Sequence, residues 1–475
     1  MQSRRDFVKA AAGAAALTVM PLKSFGSQPS SDAAPKSLLE LQQAFLDLRF
    51  GMFLHFNMAT FQDLEWGDPT GPIEAFHPTA LDTDGWAKAA VSAGMGYGCL
   101  TTKHHDGFCI WPTKTGGDHT QGQDIVRAYV DSFRKHNLRV GLYYSILDLR
   151  GDIRHFNVTP EKIARIKAQL TELLTGYGPI DMLIFDGWDA PWSRIPYDEV
   201  PFREIYDLVK KLQPNCLISE LNASQYPPTA RYYSDIKAFE QNAGQNIPGE
   251  SRIPAQSCVT LTDGWFWKQS DANAELKSAK QVVDEWLVPQ NAIHCNLILN
   301  AAPNREGKLA PNVVARLEEI GKLWKDRAPA PKLGPSIGIT TQSLTKGRPI
   351  HAIASADTYG PDMANDGNFN STWYLPEGRT EGWLEVELPK NSSFDTLAVV
   401  EPIGKFHDYK ETRLKRYKIE AWDGNGWTEL VTGEEGIPVR FHAIPRTHAS
   451  KVRLTIWASK DTPHIADFSV YDERR

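Results

Sequence analysis

The stretch Tyr97-Gly98-Cys99-Leu100-Thr101-Thr102-Lys103-His104-His105-Asp106-Gly107-Phe108 is a short apolar run that empties into four ionisable side chains and an Asp-Gly turn. A buried strand delivering polar groups to a rim reads this way. The pattern repeats on both sides of it. Apolar runs at 49–56, 140–146, 180–185, 217–221 and 295–299 read as further strands, and amphipathic segments at 84–93, 125–136, 160–175 and 199–212 read as the helices between them. Thr159, Pro160 and Glu161 give the third of these helices its start, and Gly176 its stop. Alternation of this kind over some 250 residues predicts repeated βα units around a parallel sheet. No G-x-G-x-x-G turn follows the first strand, so a closed barrel is preferred to an open dinucleotide-binding sheet. The fold class is therefore α/β, a (β/α)8-like TIM-type barrel over 37–330. Its sixth and seventh strands are expected to be the least regular, because 222–290 has no clean period.

Working outward, the helical pattern at 311–325 is followed by Pro329, Pro331 and Pro335, which mark a linker. Beyond it, Trp383-Leu384-Glu385-Val386-Glu387-Leu388, Tyr417-Lys418-Ile419-Glu420-Ala421-Trp422 and Val452-Arg453-Leu454-Thr455-Ile456-Trp457 alternate as half-buried strands. Asp423-Gly424-Asn425-Gly426 is a hairpin signal. An all-β sandwich is expected over 336–475. At the other end, Ser3-Arg4-Arg5-Asp6-Phe7-Val8-Lys9 leads into an Ala-rich apolar run at 10–20, too short to span a bilayer. Residues 1–30 thus read as a twin-arginine-type signal peptide and linker, cleaved between Ser24 and Ser31, and the mature protein is expected in the periplasm or outside the cell.

The chain has 475 residues, a formal net charge of -6 and no basic patch, which argues against a nucleic-acid partner. No later stretch reaches the roughly 18 consecutive apolar residues of a membrane span, so no membrane association is expected of the mature form. Fourteen Trp and fifteen Tyr suit sugar faces and ordinary cores alike. Cys99, Cys109, Cys216, Cys258 and Cys295 are scattered and odd in number, which indicates neither a disulfide framework nor a zinc cage. Buried thiols are expected.

In a βα-barrel the C-terminal ends of the strands build the active site. Here four successive ends offer His55, then Lys103 to Asp106, then Tyr143-Tyr144-Ser145, then Asp186-Gly187. The pair His104-His105 has no H-x-H or H-x-x-x-H spacing, and neighbours on a strand point to opposite faces, so no metal site is expected and hydrogen bonding to a polyhydroxylated ligand fits better. His105 also has a plain structural reading beside the Asp-Gly turn. Asp186 follows Met182-Leu183-Ile184-Phe185, a carboxylate on a rigid strand, as a nucleophile requires. A turn former before Gly187 is the plainer alternative.

Phe50-Gly51-Met52-Phe53-Leu54-His55, Glu65-Trp66, the Thr101 to Phe108 block, Gly141-Leu142-Tyr143-Tyr144-Ser145 and Phe185-Asp186-Gly187 resemble the successive motifs of glycoside hydrolase family 29, the retaining α-L-fucosidases. The similarity covers roughly residues 40 to 325. It implies exo-hydrolysis of terminal α-L-fucose from a fucosylated oligosaccharide or glycoconjugate, without a required cofactor. It also implies a sugar pocket lined by His55, Glu65, Trp66, His104, His105, Tyr144 and Trp265, with Asp186 as nucleophile and Trp66 packed on the sugar. Retention needs a second carboxyl group about 5–5.5 Å away as acid/base. The family's Asp-x-x-x-x-Glu form is met by Asp235 to Glu240, which makes Glu240 the choice, with Glu220 and Glu250 as rivals. Some relatives carry a glutamate where this chain has Gln256, and an amide cannot serve as the acid. A family arginine after the fifth strand is missing from Ser219-Glu220-Leu221-Asn222, leaving Arg231 or Arg252 as substitutes, and the usual His-Trp-Gly is His55-Phe56-Asn57. These departures keep open a related sugar such as L-galactose, or a carbohydrate-binding protein with a degenerate site. The C-terminal module resembles discoidin-like, galactose-binding sandwiches through Ala364 to Phe369 and Gly382 to Leu388. That resemblance implies a structural calcium ion at the first stretch or glycan binding, beside a purely structural sandwich.

Overall fold

The computed structural model describes residues 35–225, 232–245, 247, 253–325, 329–334, 339–369, 371–402, 412–436 and 438–474. The signal-peptide residues, Arg231, Glu250 and Arg252 lie outside this set. All six apolar runs form parallel strands. They are β1 (Phe50–Leu54), β2 (Tyr97–Lys103), β3 (Arg139–Ser145), β4 (Met182–Asp186), β5 (Leu217–Glu220) and β8 (Cys295–Asn300). The aperiodic stretch supplies β6 (Ile236–Glu240) and β7 (Ala255–Thr260), and the eight strands close in sequence order, with β8 pairing back on β1. Lys237, Gln256 and Ser257 are buried polar residues within these two strands, and they erase the apolar signal there. Short helical turns at Leu221–Gln225, Gln241–Ala243 and Gln269–Asn273 and a wide π-type turn at Gln281–Leu287 further break the period.

Strand alternation sorts the barrel side chains into two sets. Phe53, Cys99, Tyr143, Ile184, Ala238, Cys258 and Ile298 fill the interior, whereas Met52, Leu54, Leu100, Leu142, Tyr144, Leu183 and Phe185 face the surrounding helices. The helix Pro160–Gly176 starts where Thr159 accepts the Lys162 N–H and Pro160 occupies the first turn. An additional helix, Leu38–Leu46, opens on a Ser37/Glu40 capping box and closes the N-terminal end of the barrel. Phe45 meets Tyr97 edge-on at 5.5 Å, and the Phe45 carbonyl accepts from the Asn296 amide at 2.6 Å. The open end is therefore the C-terminal rim. All five cysteines are buried thiols.

The C-terminal strands are β9 (Ile350–Ala352), β10 (Trp373–Tyr374), β11 (Gly382–Glu387), β12 (Ser393–Val400), β13 (Leu414–Trp422), β14 (Trp427–Glu434), β15 (Val439–His448), β16 (Lys451–Ser459), β17 (His464–Ile465) and β18 (Asp467–Tyr471). A five-stranded sheet in the order β14-β13-β16-β11-β9 faces a three-stranded sheet β15-β12-β18 over a core that includes Leu384, Leu397, Ile419, Leu454 and Phe468, and β10 pairs with β17 apart from both. The hairpin signal at 423–426 joins β13 to β14, with Trp422 opposite Trp427. The sandwich packs on the barrel through Tyr232, Ile339, Ala398 and Tyr471, with the two tyrosine hydroxyls 3.2 Å apart.

The stretch expected to hold calcium is tied into the sandwich by its side chains. Asp366 accepts the Asn368 N–H at 2.7 Å and the Ser371 hydroxyl at 2.5 Å, while the Asn365 amide donates to the Thr345 and Arg348 carbonyls at 2.7 and 2.9 Å. These bonds hold the Asp366 carboxylate and the Asn365 amide in place against the rest of the sandwich.

Candidate active site

Polar residues at or just beyond the C-terminal ends of several barrel strands meet in one cavity of about 100 Å³ at that rim. Its lining holds His55 after β1, His104 and His105 after β2, Tyr143 on β3, Asp186 ending β4 and Glu240 ending β6. Loops add Glu65 and Trp66 after β1, Trp192 after β4, Leu221 after β5 and Trp265 after β7. Of the nine expected site residues, eight converge here.

Asp186 is the best-held group of the site. The Tyr143 hydroxyl donates to Oδ2 at 2.7 Å, and the Gly187 N–H and the Asn222 amide donate to Oδ1 at 2.7 and 3.3 Å. Gly187 has φ +102, which turns its N–H back onto the carboxylate, and a Cβ there would press on Ile146 and Leu147 at 3.1 Å. Burial pushes the Asp186 carboxyl up to about 7. The Tyr143, Gly187 and Asn222 donors pull it down, and the Glu240 charge adds to the rise.

The histidines are held neutral by burial, with His55 and His105 each lowered to about 3 and His104 also well below its ordinary value. Hydrogen bonds assign the tautomers of His55 and His105. Asn300 donates its amide to the Trp265 carbonyl at 2.8 Å, so its Oδ1 accepts from His55 Nδ1–H at 2.8 Å. Ser145 donates to the Leu147 carbonyl at 2.9 Å and accepts from His105 Nδ1–H at 2.8 Å. The Nε2 atoms of His55 and His105 are left as acceptors, that of His105 lying 3.6 Å from Asp186 Oδ2. An acceptor array of this kind suits a ligand rich in hydroxyl groups.

Glu240 is tied to Trp265, whose indole N–H donates to Oε1 at 3.2 Å. The backbone N–H of Trp265 donates to Glu65 Oε1 at 2.5 Å, and Lys268 pairs with Glu65 Oε2 at 2.8 Å. Burial raises the Glu240 carboxyl and the Glu65 charge adds to it, against the Trp265 donor. The rival Glu220 is fully buried outside the cavity lining, with the Tyr197 hydroxyl on Oε2 at 2.6 Å. Gln256 also lies outside the lining, donating to Ser219 at 3.1 Å within the barrel. Among the described residues, no three His, Cys, Asp or Glu side chains are grouped to hold a metal ion.

Two expectations need correcting. His104 and His105 do not point to opposite faces: β2 ends at Lys103, the alternation ends with it, and both rings enter the cavity with centroids 4.0 Å apart. Tyr144 is not a pocket residue. It is the outward member of the Tyr143-Tyr144 pair, its hydroxyl donating to Gln169 at 2.6 Å and accepting from Lys103 at 3.1 Å. Tyr143 takes its place, a choice the parity of β3 against Asp186 on β4 could have made. Tyr144→Phe is expected to lower stability by about 1–2 kcal/mol through the unpaired buried partners while leaving kcat/KM within about twofold. Tyr143→Phe removes a donor to ionised Asp186, so kcat/KM falls and the acid limb of its pH profile moves upward. Denaturant melts and rate profiles of the two variants check this pair. Trp192, Asn222 and Asn300 carry no chemical signal in sequence.

The Alpha-L-fucosidase family matches residues 60–328, more than half of the chain. The chain is 26% identical over 453 residues to putative alpha-L-fucosidase 1 of Oryza sativa subsp. japonica, covering 89% of this chain and 82% of that protein. It is 27% identical to alpha-L-fucosidase 1 of Arabidopsis thaliana, covering 89% and 85%. Among solved structures, a putative alpha-L-fucosidase from Bacteroides thetaiotaomicron shares the fold at a TM-score of 0.52 and 22% identity, over 94% of this chain and 99% of that one.

Proposed function

This chain belongs to the α-L-fucosidase family of glycoside hydrolases, and we propose that it releases terminal α-L-fucose from glycans by double displacement, with Asp186 as nucleophile and Glu240 as acid/base. The observation that carries the reading is the three-donor cradle of Asp186 sharing one cavity with Glu240. Asp186 attacks the anomeric carbon as the bond to the leaving oxygen breaks, and that oxygen takes the proton of Glu240. The Glu240 carboxylate then takes a proton from water, whose oxygen displaces Asp186 and restores the original anomeric configuration. The pair works with a single proton. Three donors favour charge on Asp186, whereas burial and the neighbouring Glu65 charge favour the proton on Glu240 against its one indole donor. Nothing in this scheme calls for a cofactor. The placement of Gln256 outside the cavity lining supports an active enzyme over a degenerate binding protein.

The test is hydrolysis of an aryl α-L-fucoside with proton NMR of the first anomer formed. Initial α-L-fucose is expected, and initial β-L-fucose would rule out the double displacement. The pH profile of kcat/KM is expected to fall below neutrality as Asp186 takes up a proton and to fall at higher pH as Glu240 loses its own. Both limbs lie above the ordinary carboxylate range, because burial raises both groups. Export through the Arg4-Arg5 leader is part of the proposal and rests on sequence alone, with fractionation of the native host as its check.

A further inference from the structure

The fucosidase reading places one terminal sugar in the cavity beside Asp186 and Glu240, so the rest of any glycan lies outside, across the mouth. Two large rings stand there with their surfaces only partly used. Trp66 is 42% exposed and Trp192 is 41% exposed. Trp192 packs one side on His105, with ring centroids 4.2 Å apart, and meets Trp66 nearly perpendicularly at 5.0 Å and 85°. Burying apolar surface stabilises, and a tryptophan held rigidly with much of its surface open at a pocket mouth marks a contact to be completed by a ligand.

The loop that carries Trp192 is built to hold it. Asp189 and Arg194, on either side, adopt φ of +47 and +55, conformations that persist only where surrounding bonds impose them. Those bonds are present: Asp189 N–H donates to the Ile195 carbonyl at 2.8 Å, Arg194 N–H to the Ala190 carbonyl at 2.8 Å, and the Ser193 hydroxyl to the Gly187 carbonyl. The neighbouring loop after β3 is tied to the same segment through Glu199, which accepts the Phe156 N–H at 2.7 Å and pairs with His155 at 2.6 Å. It presents a second exposed aromatic, Phe156, with φ +64 and 87% exposure.

We propose that Trp192 is the platform of a leaving-group subsite, stacking on the apolar face of the pyranose to which the terminal fucose is attached. This rests on the fucosidase reading above and adds where the substrate's second sugar lies. Stacking by a partly exposed ring changes affinity by roughly tenfold. The experiment compares two substrates of wild type, Trp192→Ala and Trp192→Phe. One is a disaccharide with α-L-fucose on a neutral pyranose, and the other is α-L-fucosyl fluoride, which has no leaving-group ring. In Trp192→Ala the kcat/KM ratio of disaccharide to fluoride is expected to fall about tenfold, mostly through KM, and Trp192→Phe should recover most of it. An unchanged ratio in Trp192→Ala, whether both rates drop together or neither does, overturns the platform. Wild type that turns over neither substrate overturns the fucosidase reading, and the platform with it.

Discussion

Asp186→Asn is expected to lower turnover of every fucoside by about 10⁴-fold or more, the scale seen when a covalent nucleophile is removed, and at the same time to raise the melting temperature at pH 8. The first effect follows because Asn cannot form the ester, while it keeps the size of the side chain and one of the two oxygens that accept from the cradle. The smaller variant Asp186→Ala leaves room for a small anion at the same point. Added azide should then enter from the nucleophile's side and give the inverted β-L-fucosyl azide. The stability effect has a definite sign. The Asp186 carboxyl is raised from 3.8 to about 7 by burial, so between these values the folded chain binds more proton than the unfolded one. Stability contributed by this group is thus unaffected below about pH 4, declines as pH rises toward 7, and stays reduced above. Asn carries no such charge, so the gain should be present at pH 8 and absent at pH 4. Equal melting shifts at both pH values would show that the carboxylate is not ionised against its surroundings, and full turnover in the variant would remove Asp186 from the chemistry.

What the sequence revealed here depended on whether a residue's neighbours in space were also its neighbours along the chain. β1 to β5 and β8 announce themselves because their inward and outward faces are both apolar, and their ends stand out by contrast: His55, His104 and Asp186 are polar residues at the point where an apolar run stops. β6 and β7 are hidden by the buried Lys237, Gln256 and Ser257. Family resemblance supplied Glu65, Trp66, Trp265 and Glu240, which lie on or after irregular segments and have no local signature of their own. The Tyr143-Tyr144 pair shows the limit of a motif without geometry, since two adjacent tyrosines on a strand face opposite ways and only one can meet Asp186. Trp192 and Asn300 were illegible for the same physical reason: their partners, His105 and His55, lie far away in sequence and are brought together only by closure of the barrel.

Glu240→Gln should separate the acid from the nucleophile by the kind of substrate it spares. On a fucoside with a poor leaving oxygen, loss of the proton donor is expected to lower kcat/KM by 10²–10⁴-fold, the ordinary contribution of general acid catalysis. α-L-Fucosyl fluoride needs little protonation, so its attack by Asp186 continues and only the second step, which needs a base for water, is slowed. The fucosyl ester should then accumulate on Asp186, visible as a burst of fluoride and as a chain heavier by one fucosyl group in its mass spectrum. Azide needs no base either. It should speed release and give the retained α-L-fucosyl azide, opposite in configuration to the product from Asp186→Ala. The alkaline limb of the pH profile should vanish with the carboxyl group, because it reports loss of the Glu240 proton. Glu220→Gln offers the contrast, since Glu220 is fully buried outside the cavity lining and its Oε2 is taken by the Tyr197 hydroxyl at 2.6 Å. If the burst, the retained azide and the lost limb belong to the Glu220 variant and not to the Glu240 variant, the acid/base has been misassigned while the double displacement stands.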